Sequence, residues 1–101
     1  MTMARDITSC MGYQQITNVT SPVGLTLPNT DLTTGVSAIP TTALIVVEGQ
    51  AVRYRDDGVN PTASVGMPIL PGSAFFYDGD LTRIRFIETT ASAVINVAYY
   101  K

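Results

Sequence analysis

From Ala43 to Tyr100 the sequence is a succession of short β-branched and aromatic runs, broken by turn signals at intervals of roughly eight to twelve residues. Such spacing leaves little room for a helix, and in residues 1–42 the prolines, the threonine-rich content and the lack of an apolar 3.6-residue period oppose one as well. A chain divided this way is expected to be all-β, folded as a compact antiparallel β-sandwich or jelly-roll-like barrel with an extended N-terminal arm. At 101 residues it makes one domain. A chain of this size buries roughly 65% of its unfolded surface, enough for a core without disulfides or metals.

The runs differ in what they say about their faces. Ala43–Glu48 is apolar throughout, the pattern of a strand buried on both sides or placed at a subunit contact. Ala51–Arg55 and Arg83–Ile87 alternate, with Val52, Tyr54, Ile84 and Phe86 inward and the arginines outward. Met67–Leu70, Ser73–Tyr77 and Ala93–Tyr100 complete the strands. The expected core is Leu44, Val46, Val52, Tyr54, Ile69, Phe76, Ile84, Phe86, Ile95 and Val97. Ile45 and Val47 then fall on the other face of their strand, as candidate partner-binding residues.

Composition shifts near residue 42. The first 42 residues hold ten threonines, only three charged side chains (Arg5, Asp6 and Asp31) and the punctuating Pro22, Pro28 and Pro40. Residues 1–20 read as an arm and 21–101 as a single β-domain, densest in strands over 43–100. Short strands are expected at Tyr13–Val19 and Leu25–Leu27.

Charged residues make up only 14% of the chain, against roughly a quarter in a typical domain. A surface rich in Thr, Ser, Asn and Ala is cheap to desolvate and suits a protein covered by partners. The net charge is −2 with no run of lysine or arginine, so counterion release offers little towards nucleic-acid binding. Met1–Asp6 lacks the apolar segment of a secretory signal, and no stretch has membrane-spanning length, so neither export signal nor membrane helix is expected.

Catalytic chemistry has few carriers. There is no histidine, and Cys10 is the single cysteine, so neither a disulfide within the chain nor a base-activated thiol can form. The carboxylates lie at strand ends and turns, where they stay solvated. No enzymatic activity and no cofactor are expected. The turns Asp56-Asp57-Gly58 and Asp78-Gly79-Asp80 would offer clustered oxygens to calcium if they met in space, through Asp56, Asp57, Asp78 and Asp80. They lack the offsets and closing glutamate of a calcium loop, and Asp-Gly is ordinary hairpin chemistry. Arg53 and Arg55 share one strand face and Arg83 and Arg85 another, which makes a four-arginine partner-binding patch if the strands are neighbours. The competing reading is a solvated face balanced by Glu48, Glu88 and the turn aspartates.

The stretch from Ala43 to Tyr100 resembles small tailed-phage virion proteins. The resemblance lies in the apolar strand closing on Glu48-Gly49-Gln50 and in Arg53-Tyr54-Arg55-Asp56-Asp57-Gly58 with Pro61-Thr62 downstream. It continues through Gly66-Met67-Pro68, Gly79-Asp80-Leu81, Arg85-Phe86-Ile87-Glu88 and the closing aromatic strand. It implies a jelly-roll or β-sandwich capsid decoration (cement) protein, made in the host cytoplasm and carried on the capsid surface. The implied partner is the major capsid protein, and assembly is expected as a homo-oligomer, dimer or trimer. The alternative is a tail, baseplate or fibre module that binds another tail protein or a host glycan, stacking sugars on Tyr54, Tyr77, Tyr99 or Tyr100.

Overall fold

The computed structural model describes residues 9–32 and 34–101. Among them are seven strands and no helix: β1 (Cys10–Ile16), β2 (Thr42–Glu48), β3 (Val52–Arg55), β4 (Met67–Ile69), β5 (Ala74–Tyr77), β6 (Arg85–Glu88) and β7 (Val94–Tyr100). They form two antiparallel sheets, ordered β1-β7-β2-β5 and β4-β3-β6. The all-β expectation holds.

The pairing is nested. β1 pairs with β7, β2 with β5 and β3 with β4, the first strand with the last and so on inward. Between the first two pairs, Val23 and Phe86 exchange both backbone hydrogen bonds at 2.9 Å, and the Glu88 N–H donates to the Val19 carbonyl. Residues 19–23 thus act as an eighth strand reduced to a bridge, cut short by Pro22, which has no N–H to donate. Nested antiparallel pairs wrapped into two sheets are the jelly-roll arrangement.

The alternating strands orient as the sequence implies. Val52 faces Ile69 and Glu88, Tyr54 faces Phe86, and Val52, Ile69, Ile84, Phe86, Ile95 and Val97 are buried. Tyr54 is half-buried and packs against the core beside Phe75, Tyr77 and Phe86. At the β2–β3 turn Gly49 has φ +84°, and a Cβ there would stand 2.6 Å from the Ser92 carbonyl oxygen. A side chain at this position would part β2 from the loop before β7.

Two strands turn the other way. Ala43, Ile45 and Val47 fill the core, whereas Leu44 and Val46 lie half-buried on the outer face. Ile45 and Val47 are 0% exposed and so are not at hand for a partner. In β5 the buried ring is Tyr77, and Phe76 is 46% exposed. Both runs are apolar at odd and even positions alike, so alternation carries no choice of face; pairing with β7 makes it for β2, setting Ile45 opposite Val97 and Val47 opposite Ile95, and pairing with β2 makes it for β5.

The arm is also revised. Residues 1–8 lie outside the described residues, but Cys10–Ile16 is an edge strand of the larger sheet, and Met11, Ile16 and Val19 belong to the core. The register with β7 shifts between Cys10 and Gly12, a bulge that inserts Met11 into the interior. This extra residue breaks the two-residue period at the start of the strand, which runs Cys10–Ile16 where the sequence predicts Tyr13–Val19. Leu25 and Leu27 form no strand, although they pack against the core. Arg83 precedes β6 in a turn, where its N–H donates to the Asp80 carbonyl at 3.1 Å.

The interior contains two polar devices. The Tyr99 hydroxyl donates to Gln14 Oε1 at 2.6 Å, and the Thr26 N–H donates to the same oxygen at 3.1 Å. The Tyr77 hydroxyl donates to Asp56 Oδ2 at 2.6 Å and holds the end of β3 against β5. Burial pushes the Tyr99 phenol up to about 12, and burial followed by the Asp56 bond pushes Tyr77 in the same direction. An unfolded tyrosine titrates near 10. The stability tied to neutral Tyr99 is therefore fully present below pH ~10 and is lost as pH rises through about 12. Urea unfolding at pH 9 and pH 11.5 should differ by about 2 kcal/mol from Tyr99 alone. Tyr99→Phe should reduce that difference, and an equal loss in the variant would show that Tyr99 is not its source.

Candidate interaction surface

The outer face of the four-stranded sheet is built from the side chains that β2, β5 and β7 turn away from the core. Leu44 stands opposite Phe76 on one side and Ala98 on the other, and Thr42 stands opposite Tyr100. The Phe76 and Tyr100 rings meet edge to face at 6.4 Å. With Val46 and Ala74 they form an apolar lane across three strands, in which Phe76 is 46% exposed. Next to it runs a polar lane. The Tyr13 hydroxyl and Gln15 Nε2 both donate to Asn96 Oδ1, at 2.5 and 3.1 Å, and Asn96 Nδ2 donates to Glu48 Oε2 at 2.6 Å. An antiparallel sheet with one wet face normally carries polar residues along the whole of that face. Here half of it is apolar, with a fixed polar border.

The arginines are brought together in part. β3 pairs with β6 and sets Arg55 opposite Arg85. Arg53, on the same face of β3 as Arg55, donates Nε to the Ala63 carbonyl at 3.2 Å and a terminal nitrogen to the Gly66 carbonyl at 2.8 Å. It ties the loop after β3 back onto its own strand. Arg55 makes a two-point contact with Asp57, at 3.1 and 2.6 Å, and holds that carboxyl down at about 2. Arg85 donates one nitrogen to the carbonyls of Thr82 and Ile84, each at 3.0 Å. Arg83, off the strand, lies over Gly58. The single four-arginine patch thus divides into two loop-fastening residues and a pair at the β6 entrance.

The four turn aspartates do not converge. Among the described residues no three His, Cys, Asp or Glu side chains gather as a cation site. Asp56 accepts from Tyr77, Asp57 from Arg55, and Asp80 from the Thr82 hydroxyl and N–H, which lower its pKa. Two of the tyrosines expected to stack on a glycan are interior: Tyr99 is 1% exposed and Tyr77 9%. Both face inward because β5 and β7 place Tyr77 and Tyr99 on either side of Ala43. Cys10 is exposed as a free thiol on β1. No helix among the described residues is long and apolar enough to cross a membrane.

No protein-family model matches the sequence, and no curated protein or solved structure matches it. In the sequence the apolar lane shows only as the unbroken run Ala43–Val47; that Phe76, Ala98 and Tyr100 extend it follows from strand pairing.

Proposed function

We propose that this protein is a structural component of a phage virion, a decoration or cement protein that binds the head lattice and stiffens it, without catalysis. The observation that carries this reading is the apolar lane of Leu44, Phe76, Ala98 and Tyr100 on the outside of a jelly roll whose core is already complete. Such a lane is stabilised by burial against another protein surface. Three further features support it: the wording shared with small virion proteins, the charge-poor composition and the absence of histidine. The lane buries against a neighbouring copy, and the resulting dimer or trimer attaches to the major capsid protein. Repetition over a lattice then turns weak single contacts into firm attachment.

Purified protein added to capsids lacking it should bind in hundreds of copies per particle, on the order expected of a coat, and raise the temperature at which the particles break open. Phe76→Lys should change the melting temperature by no more than a few degrees, since the side chain is half in water, yet lower both oligomer content and capsid binding by about tenfold or more. A monomer with no affinity for capsids would overturn the proposal. Binding to tail tips or to a host glycan would transfer the assignment to a tail module.

A further inference from the structure

A second site lies where the turn after β3 meets the turn before β6. Because β3 and β6 run antiparallel with Arg55 opposite Arg85, the chain leaving β3 and the chain entering β6 arrive at the same end of the smaller sheet. There Gly58, Asn60, Thr82, Arg83 and Arg85 line a pocket of about 150 Å³. Its lining holds two guanidinium groups, one amide and one hydroxyl, and no carboxylate.

The acids nearby are committed to other donors. Asp57 is held by Arg55, Asp56 by the Tyr77 hydroxyl and Asp80 by Thr82. Asp80 still feels the charge of Arg83 through space, but no ion pair joins them among the described residues. Lys101 pairs with Asp31 and Arg55 with Asp57, whereas among the described residues Arg83 and Arg85 have no carboxylate ion-pair partner.

Both guanidinium groups are seated by glycines. A Cβ at Gly24 would stand 2.7 Å from a terminal nitrogen of Arg85, and a Cβ at Gly58, where φ is +88°, would collide with Arg83. Arg85 is half-buried, and its two carbonyl contacts occupy one terminal nitrogen. Among the described residues its Nε–H and second NH₂ make no hydrogen bond, and neither does the fork of Arg83. Arg85, held by its two carbonyl contacts, loses little freedom on binding, whereas Arg83 is exposed beside Gly58; a guanidinium fork matches two oxygens of a tetrahedral anion.

The volume decides the ligand class. Pockets for drug-sized molecules run to roughly 300–1,000 Å³, and a water occupies about 30 Å³. A space of about 150 Å³ matches one small oxyanion with a little water and is too small to enclose a sugar or nucleotide. We propose that this pocket binds a single tetrahedral oxyanion of the phosphate class, gripped by Arg83 and Arg85 with Asn60 and Thr82 completing the contacts. The site stands independently of the virion reading, since it uses neither the apolar lane nor a capsid partner.

The test is a titration of the isotopically labelled protein with inorganic phosphate at constant ionic strength, followed by amide chemical shifts, with chloride as the control. Saturable shifts centred on Gly58, Asn60 and residues 82–85 are expected, with no comparable response to chloride. Arg83→Gln should weaken binding by at least about tenfold, the usual scale for losing a charged hydrogen-bond donor. Asn60→Ala should weaken it less, and Lys101→Gln should leave it unchanged. The spectra themselves report that each variant is folded. Shifts that fail to saturate, that are equal in Arg83→Gln, or that centre on Arg53 or Lys101 would overturn the proposal.

Discussion

Removal of residues 1–20 should abolish cooperative folding. The deletion takes Met11, Ile16 and Val19 out of the core, where they are at most 6% exposed. Each buried apolar side chain of this size contributes about 1.5–3 kcal/mol, so the direct loss is roughly 5–9 kcal/mol. Total stability of a domain is only about 5–15 kcal/mol. The deletion also strips β7 of its outer neighbour along the whole of β1 and removes the Val19 carbonyl that receives the Glu88 N–H. β7 would become an edge strand with unpaired backbone groups, a site for association with other chains. Circular dichroism and a thermal melt of the truncated protein check this. A cooperative melt within a few degrees of the intact chain would mean that β1 contributes nothing to the fold. An appended arm would give that result, and it is what the threonine-rich composition alone would suggest.

Phe86→Ala should cost about 3–5 kcal/mol, the range for emptying a buried phenylalanine site. Phe86 is 0% exposed, packs beside Tyr54 on the inner face of the smaller sheet, and exchanges backbone hydrogen bonds with Val23. Each lost kcal/mol lowers the melting temperature of a domain this size by roughly 4–8 °C, so a fall of at least ~12 °C is expected. Phe76→Ala provides the contrast. Its ring is 46% exposed on the outer face, and its loss should cost about 1 kcal/mol or less in the free chain. Equal destabilisation by the two substitutions would mean that β5 and β6 do not face as described.

These contrasts mark how far the residues speak for themselves. In β3 and in the run Arg83–Phe86 that leads into β6, arginines alternate with Val52, Tyr54, Ile84 and Phe86, so the inward face is legible from the chain alone. The turns at Gly49, Asp56–Gly58 and Pro71-Gly72 are equally legible, because glycine and aspartate there meet backbone requirements few other residues tolerate. β2 and β5 are different. With apolar side chains on both parities, either face satisfies the hydrophobic effect locally, and the choice belongs to their partners across the sheet. The outer lane inherits that ambiguity, since it consists of whichever side chains the core did not take.

The Arg83–Arg85 pocket depends on the tertiary structure in another way. Its residues come from two turns more than twenty positions apart, aligned only because β3 and β6 pair in one register. The chain by itself determined the all-β class, the places of its turns and its lack of histidine-based chemistry, because propensity, turn geometry and composition act locally or residue by residue. Only the folded molecule decided that Cys10–Ile16 joins the sheet, that Leu44 and Phe76 face outward, and that two of four arginines share a pocket. Each of those outcomes rests on non-local pairing, whose register is set by the packing of the whole core and by no single segment.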